Sequence, residues 1–314
     1  MMSQKLIIDC DMGTDDAVAL SMALFDPRLE ILAITACEGS VNADQSTRNL
    51  QAIVEFLDPD KYPRMGAARR CEHAPADNVT FLYGSDGLGN SDFKVSSLQH
   101  IPPSEKLIID CVRAHPGEVT IVCLGPLTNV ANALKRDPQI EESINQIVMV
   151  GGAIQGIGNI TPAAEFNMYF DPFSAQLVFD SHTTKTLVPL DLTSQVEFDL
   201  SLLEEIPGDQ CRVGCFLKQI LPFAFRAYRR ELGKECINLN DAVGMLAILR
   251  PELFQFVEMA GQVEVNGTLT RGTTVFDRRG LVEWRRNMEV ATEIDAEQAR
   301  QQLINLVNAS GACT

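Results

Sequence analysis

The chain has 314 residues, 46% of them hydrophobic, enough for a large buried core. Its 42 acidic residues outnumber 26 basic ones for a formal charge of −16, a field that discourages nucleic acid and anionic membranes and suits a metal cation and a neutral small molecule. No membrane-length apolar run or signal peptide is expected, and nine cysteines without a CxxC pair predict reduced, largely buried thiols in a cytoplasmic protein.

Strand patterns fall at Lys5–Cys10, Leu29–Ala36, Val119–Leu124, Ile144–Val150 and Lys185–Leu190. Helical patterns lie between them at Asp16–Phe25, Ala43–Leu57, Pro103–Ala114, Asn129–Arg136 and Pro172–Asp180. This alternation predicts an α/β fold, a mostly parallel central sheet flanked by helices in the Rossmann-like manner. From about Leu200 the pattern turns to longer helical stretches, Leu200–Ile206, Gln210–Leu232 and Asp241–Leu249. A short strand pair, Gln262–Val265 with Asn287–Thr292, and a last helix, Asp295–Asn308, follow. With no linker, repeat or low-complexity tract, one domain spanning residues 1–314 is expected.

Four aspartates, Asp9, Asp11, Asp15 and Asp16, cluster where the first strand should end, with Thr14 as the expected N-cap of the next helix. In a parallel sheet, ligands bind outside the strand C-termini. Asp9 and Asp11, two residues apart, should point to one side, and the turn should bring Asp15 and Asp16 back toward them. Such crowding is relieved by raised pKa values or by a hard cation. Asp15 and Asp16 alone could serve only the helix dipole, but that does not account for Asp9 and Asp11.

Three later segments repeat the pattern of apolar strand and polar turn: Gly125-Pro126-Leu127-Thr128-Asn129, the stretch from Gly151-Gly152-Ala153 through Asn159 to Asn167, and Leu239-Asn240-Asp241. Each alone has an ordinary role in turns or caps. Together they place carboxylates and amides on one sheet edge, groups suited to a sugar diol. Neither a P-loop nor a dinucleotide fingerprint is present. His73, His100, His115 and His182 are scattered, and Cys211 and Cys215 lack a second metal-binding pair.

On these motifs the chain resembles the nucleoside hydrolase family, inosine–uridine-preferring N-ribohydrolases. Asp9-Cys10-Asp11-Met12-Gly13-Thr14-Asp15-Asp16-Ala17 is similar to its DxDPGxDDA signature, with Met12 where proline is usual. Gly125–Asn129 matches GPLTN, Thr161–Asn167 matches the AEFN stretch, and Asn240-Asp241-Ala242 stands at the HDA-type motif. The resemblance implies calcium held by Asp11, Asp16, Asp241 and the main-chain carbonyl of Thr128, with Asp9 supporting the cluster. It implies that Asp15, Asn159, Glu165 and Asn167 grip ribose, that Asp11 activates water, and that the N-glycosidic bond of ribonucleosides is hydrolysed to ribose and base. A homodimer or homotetramer is also implied.

The aglycone side departs from the family. Asn240 stands where many members have a histidine that protonates the base, and Tyr83 where they have another base-side histidine. Ser40 replaces an asparagine that reaches the ribose 5′ side, a loss for which Asn42 could compensate. Tyr228 is a candidate wall over the base, with helix packing as the plain reading for it and for Phe225; Trp284 lies too late in the chain for that task. The expectation is an altered base preference. The rival readings are a non-catalytic nucleoside-binding protein and a haloacid-dehalogenase-type phosphatase with Asp9 as nucleophile.

Overall fold

The computed structural model describes residues 3–75, 79–96, 101–155, 157–279 and 284–312; His100 lies outside them. In chain order the strands are β1 (Gln4–Cys10), β2 (Leu29–Ala36), β3 (Arg64–Gly66), β4 (Val119–Cys123), β5 (Ile144–Val150) and β6 (Lys185–Val188). They continue as β7 (Glu197–Phe198), β8 (Ile237–Asn238), β9 (Phe254–Met259), β10 (Gly261–Val263), β11 (Thr274–Phe276) and β12 (Met288–Ile294). Eight form one sheet in the order β3-β2-β1-β4-β5-β6-β12-β9, parallel throughout except where β9 pairs with β12.

The inner strands are apolar along their whole length because both faces are covered. In β1, Leu6, Ile8 and Cys10 enter one core while Ile7 enters the other; in β4, Val122 divides in the same way from Val119, Ile121 and Cys123. The first face carries helices Thr14–Ala23, Ala43–Leu57, Arg212–Ala227, Asn240–Leu249 and Ala296–Gly311. The opposite face carries Ser104–Ala114, Thr128–Arg136 and Pro172–Asp180. Helix Ala43–Leu57 shows how sequence sets this placement. Asn42 caps it, its Oδ1 accepting from Gln45 N at 3.0 Å, and Leu50, Ile53, Val54 and Leu57 recur at helical spacing on the buried side. Burial of each such Leu or Ile stabilises the fold by about 1.5–3 kcal/mol.

Three details differ from the sequence reading. Strand β6 stops at Val188, because Pro189 offers no N–H and a short helix, Leu190–Thr193, begins. The antiparallel partner of β12 is β9, whereas the segment around Gln262 pairs with β11 in a separate two-stranded sheet. Strand β9 lies at the sheet edge with Val257 49% exposed, which blurs its apolar alternation. The first helix begins at Thr14, capped by Gly13, whose N–H donates to Asp16 Oδ2 at 2.8 Å; the Thr14 hydroxyl instead donates to Gly87 O.

Strand order reverses at β1, which has β2 on one side and β4 on the other. The crevice at such a reversal, outside the strand C-termini, is the ready-made ligand position of an open parallel sheet. Among the described residues no helix is long and apolar enough to cross a membrane, and all eight cysteines are free.

Candidate functional site

Asp11 follows the end of β1, Asp15 and Asp16 sit in the first turn of helix Thr14–Ala23, and Asp241 sits in the first turn of helix Asn240–Leu249. One carboxylate oxygen from each of Asp15, Asp16 and Asp241 lies within 4.8 Å of the others, and all three side chains are buried. Burial, then the charge of Asp11, pushes Asp16 well above the carboxylate range; burial, then Asp15, does the same to Asp241. Asp15 rises to about 6 through burial and the charge of Asp11. Asp16 Oδ1 is buried without a hydrogen-bond partner. An all-oxygen anionic cluster with an unsatisfied oxygen fits a hard divalent cation, and calcium in particular accepts such irregular oxygen sets.

The tightest group thus contains Asp15, to which the family resemblance gives a ribose role, while Asp11 adjoins Asp16 from the cavity side. Thr128 opens helix Thr128–Arg136, and its hydroxyl donates to Asp171 Oδ2 at 2.7 Å. Asp9 is not one of that triad, and its Oδ2 is buried without a hydrogen-bond partner. Asp9 lies within β1, which ends at Cys10, and is fully buried, its Oδ1 accepting from the Thr35 hydroxyl and from Asn129 Nδ2 at 2.8 Å. Asn129 Nδ2 also donates to Ala36 O at 2.8 Å, so this network ties β1 and β2 to helix Thr128–Arg136. Burial raises Asp9 to about 7. A carboxylate sealed in this way cannot reach a phosphate ester, which disposes of the phosphatase reading.

Asp11 is held by Ser40, whose N–H and hydroxyl donate to Asp11 Oδ2 at 2.6 and 2.9 Å. Close approach of the two chain segments requires Gly39, where an added Cβ would lie 2.2 Å from that same oxygen. Ser40 therefore orients Asp11 while itself lining the cavity, and Asn42 caps helix Ala43–Leu57 and is not among the lining residues. Met12 is more than a stiffness change: its φ of 63° is left-handed, a conformation that proline cannot adopt. Its carbonyl accepts from Asn49 Nδ2 at 3.1 Å, which helps to hold the turn.

Above the cluster opens a cavity of about 680 Å³. Asp11, Asp15, Ser40, Tyr83, Asn159, Glu165, Asn167, Tyr228, Asn240 and Asp241 all line it, whereas Asp16 and Thr128 do not. On the strand-end side, Asn167 Nδ2 donates to Leu124 O at 2.7 Å and Val150 O at 3.0 Å. Glu165 caps helix Phe166–Phe170 and accepts from Gly152 N, Asn167 N and Met168 N at 2.9–3.2 Å. Its carboxyl is raised by burial to about 7, although these N–H groups oppose the shift. Asn159 is exposed and its Oδ1 accepts from Phe166 N at 2.8 Å, which leaves its amide N–H groups free for a ligand at the rim.

The other side of the cavity is built differently. Tyr83 ends a single-turn helix, Thr80–Tyr83, and Tyr228 opens a π-helical turn, Tyr228–Leu232, a distortion often found at functional sites. Burial, then the charge of Asp15, raises both phenols. The Tyr228 hydroxyl donates to Asn238 O at a long 3.4 Å, and Asn240 Oδ1 is buried without a partner. Phe81, Ile157 and Leu232 expose apolar surface at the mouth. Sequence reading missed Asp191, Asn238, Lys234 and Gln155 in the lining. Asp191, which accepts from Ile154 N at 2.6 Å and Gln155 N at 3.0 Å, lies three residues past β6 and was findable by the same strand-end rule. Phe225 packs in the core, and Trp284 lines a different cavity beside Lys185.

Comparison with known proteins returns one family. The sequence profile described as inosine-uridine preferring nucleoside hydrolase matches residues 6–301. Uridine nucleosidase 1 of Arabidopsis thaliana is 34% identical over 90% of this chain and 84% of its own. The non-specific ribonucleoside hydrolase RihC of Salmonella enteritidis is 34% identical over 95% of this chain and 96% of its own. Among solved structures, the plant nucleoside hydrolase PpNRh1 superposes with a TM-score of 0.91 at 31% identity, covering 98% of this chain and 99% of that one.

Proposed function

The chain belongs to the inosine-uridine preferring nucleoside hydrolase family, whose members hydrolyse ribonucleosides, and from that premise we propose a calcium-dependent N-ribohydrolase with an altered base preference. The observation that carries this reading is the convergence of Asp11, Asp15, Asp241, Glu165 and Asn167 on one cavity at the switch point of the sheet. Asp15, Asp16 and Asp241 would hold the ion, with Asp11 beside it. Bound calcium supplies a charge that acidifies water and ligates hydroxyl oxygens.

The side chains do the rest. Asp11, oriented by the two donors of Ser40, accepts the proton of the attacking water. Asn167, with its Nδ2 committed to two carbonyls, keeps Oδ1 as an acceptor for a ribose hydroxyl. Glu165 is fixed by three N–H donors and presents a carboxylate to the same sugar. As the C1′–N bond lengthens, the ribosyl group becomes cationic, and the surrounding carboxylates stabilise that charge more than the neutral ground state. Asn240 offers no proton to the departing base, which is the basis for an altered preference.

The acidic composition and free thiols fit a cytoplasmic enzyme, and a homodimer or homotetramer is the assembly to test by light scattering. The reading is tested by ribose release from guanosine, inosine and uridine by the wild-type protein and Asp11→Ala. Release that falls by about 10³-fold or more in the variant, whose melting curve stays cooperative, supports it. No release from any riboside by the wild type, despite thermal stabilisation by ribosides, points instead to a binding protein.

A further inference from the structure

The two sides of the cavity differ in what they offer a leaving group. Among the described residues lining it there is no histidine. The ionisable groups are Asp11, Asp15, Glu165, Asp191 and Asp241, against a single lysine, Lys234, which is exposed. Glu165 and Asp191 spend their oxygens on main-chain N–H groups, and Asp11 is engaged by Ser40. Tyr83 and Tyr228 are phenols, weaker acids than imidazolium by about 3–4 pKa units. The Asn240 amide is too weak an acid to transfer a proton, and its buried Oδ1 has no hydrogen-bond donor. A departing ring nitrogen therefore finds no imidazole, an amide oxygen without a hydrogen-bond donor and two aromatic rings.

A neutral base leaves as an anion unless it is protonated, and this surrounding opposes the anion. A cationic aglycone has the opposite requirement. We propose that the site selects ribosides whose aglycone already carries a fixed positive charge, the N-ribosylpyridinium and N7-alkylpurine classes, over their neutral counterparts. In that reaction a water oxygen bonds to C1′ and the C1′–N bond breaks. Its electron pair returns to the ring and cancels the positive charge, and the water proton passes through Asp11 to solvent. No proton enters the aglycone. The π faces of Tyr83 and Tyr228 and the unpaired Asn240 Oδ1 favour the bound cation. The neutral product loses that attraction, which helps it to leave.

The inference rests on the hydrolase reading, and the test separates the two. 7-Methylguanosine and guanosine share their ribose and ring system and differ by one methyl group and a fixed charge. At pH 6 in calcium, kcat/KM should favour 7-methylguanosine by about 100-fold or more, the low end of what a general acid contributes. Asn240→His should reduce that ratio at least tenfold by restoring a donor that helps guanosine. Should that variant fail to fold, pH profiles of the wild type decide. Uridine cleavage should decline as pH rises from 6 to 9, because its proton must come from solvent, and cleavage of N-ribosylnicotinamide should not show that decline. Guanosine cleaved as fast as 7-methylguanosine, or parallel pH profiles, overturns this inference alone. Ribose released from no riboside overturns the hydrolase reading with it.

Discussion

The ribose-and-metal side of the cavity and its aglycone side are built on different principles. The first hangs on the ends of β1, β4 and β5, where Asp9, Asp11, Glu165 and Asn167 are buried and locked by main-chain N–H groups, carbonyls, Ser40 and Asn129. The second comes from a single-turn helix, a π turn and a helix N-terminus, with Phe81 and Leu232 exposed and Asn240 Oδ1 unpaired. Chemistry common to every riboside is thus assigned to the rigid scaffold, and recognition of what varies to peripheral elements that can change without disturbing the sheet.

Removing a cluster carboxylate should break the rigid side most completely. Asp241→Asn should lower kcat by about 10³-fold or more and abolish the heat of calcium binding in titration calorimetry. Gly39→Ala should come next. Its Cβ would collide with Asp11 Oδ2, so kcat should drop by about 10²-fold, the scale of a misplaced catalytic group, while calcium still binds. On the aglycone side, Tyr228→Phe removes one long hydrogen bond to Asn238 O. A change of about 0.5–1.5 kcal/mol in binding, read as a several-fold rise in KM for some bases and none for others, is expected.

A further expected effect concerns stability against pH. Glu165 and Asp9 are both raised by burial to about 7 in the folded chain, above their unfolded values. The folded state therefore binds more protons between about pH 4 and 7, and the calcium-free protein should lose stability as pH rises through that window. Calorimetric melting without calcium should show Tm falling from pH 4.5 to 7. Calcium, which favours the ionised cluster, should raise Tm more at pH 7 than at pH 5. A flat calcium-free profile would mean that the buried carboxylates are not held neutral.

The parallel core was legible because β1, β4 and β5 are continuous apolar runs between Gly-rich turns. Strand β3 has only Arg64, Met65 and Gly66 and carries no period, and β9 hides its alternation behind an exposed Val257. The acidic cluster was readable from spacing, since Asp15 and Asp16 fall in a first helical turn and Asp241 in another. Which carboxylates meet was not, because Asp9 lies within the strand while Asp11 lies past its end, a boundary of one residue. The two hydrogen bonds from Ser40 to Asp11 were not legible either. Only the close approach permitted at Gly39 reveals them.

The most direct test of the central claim is ribose release followed as free calcium is titrated into metal-free enzyme, with calcium binding measured on the same preparation. The two curves should share a midpoint, with release near background in chelator. Full-rate release in chelator, or release saturating far from the binding midpoint, would contradict a cluster of Asp15, Asp16 and Asp241 that works by holding the ion.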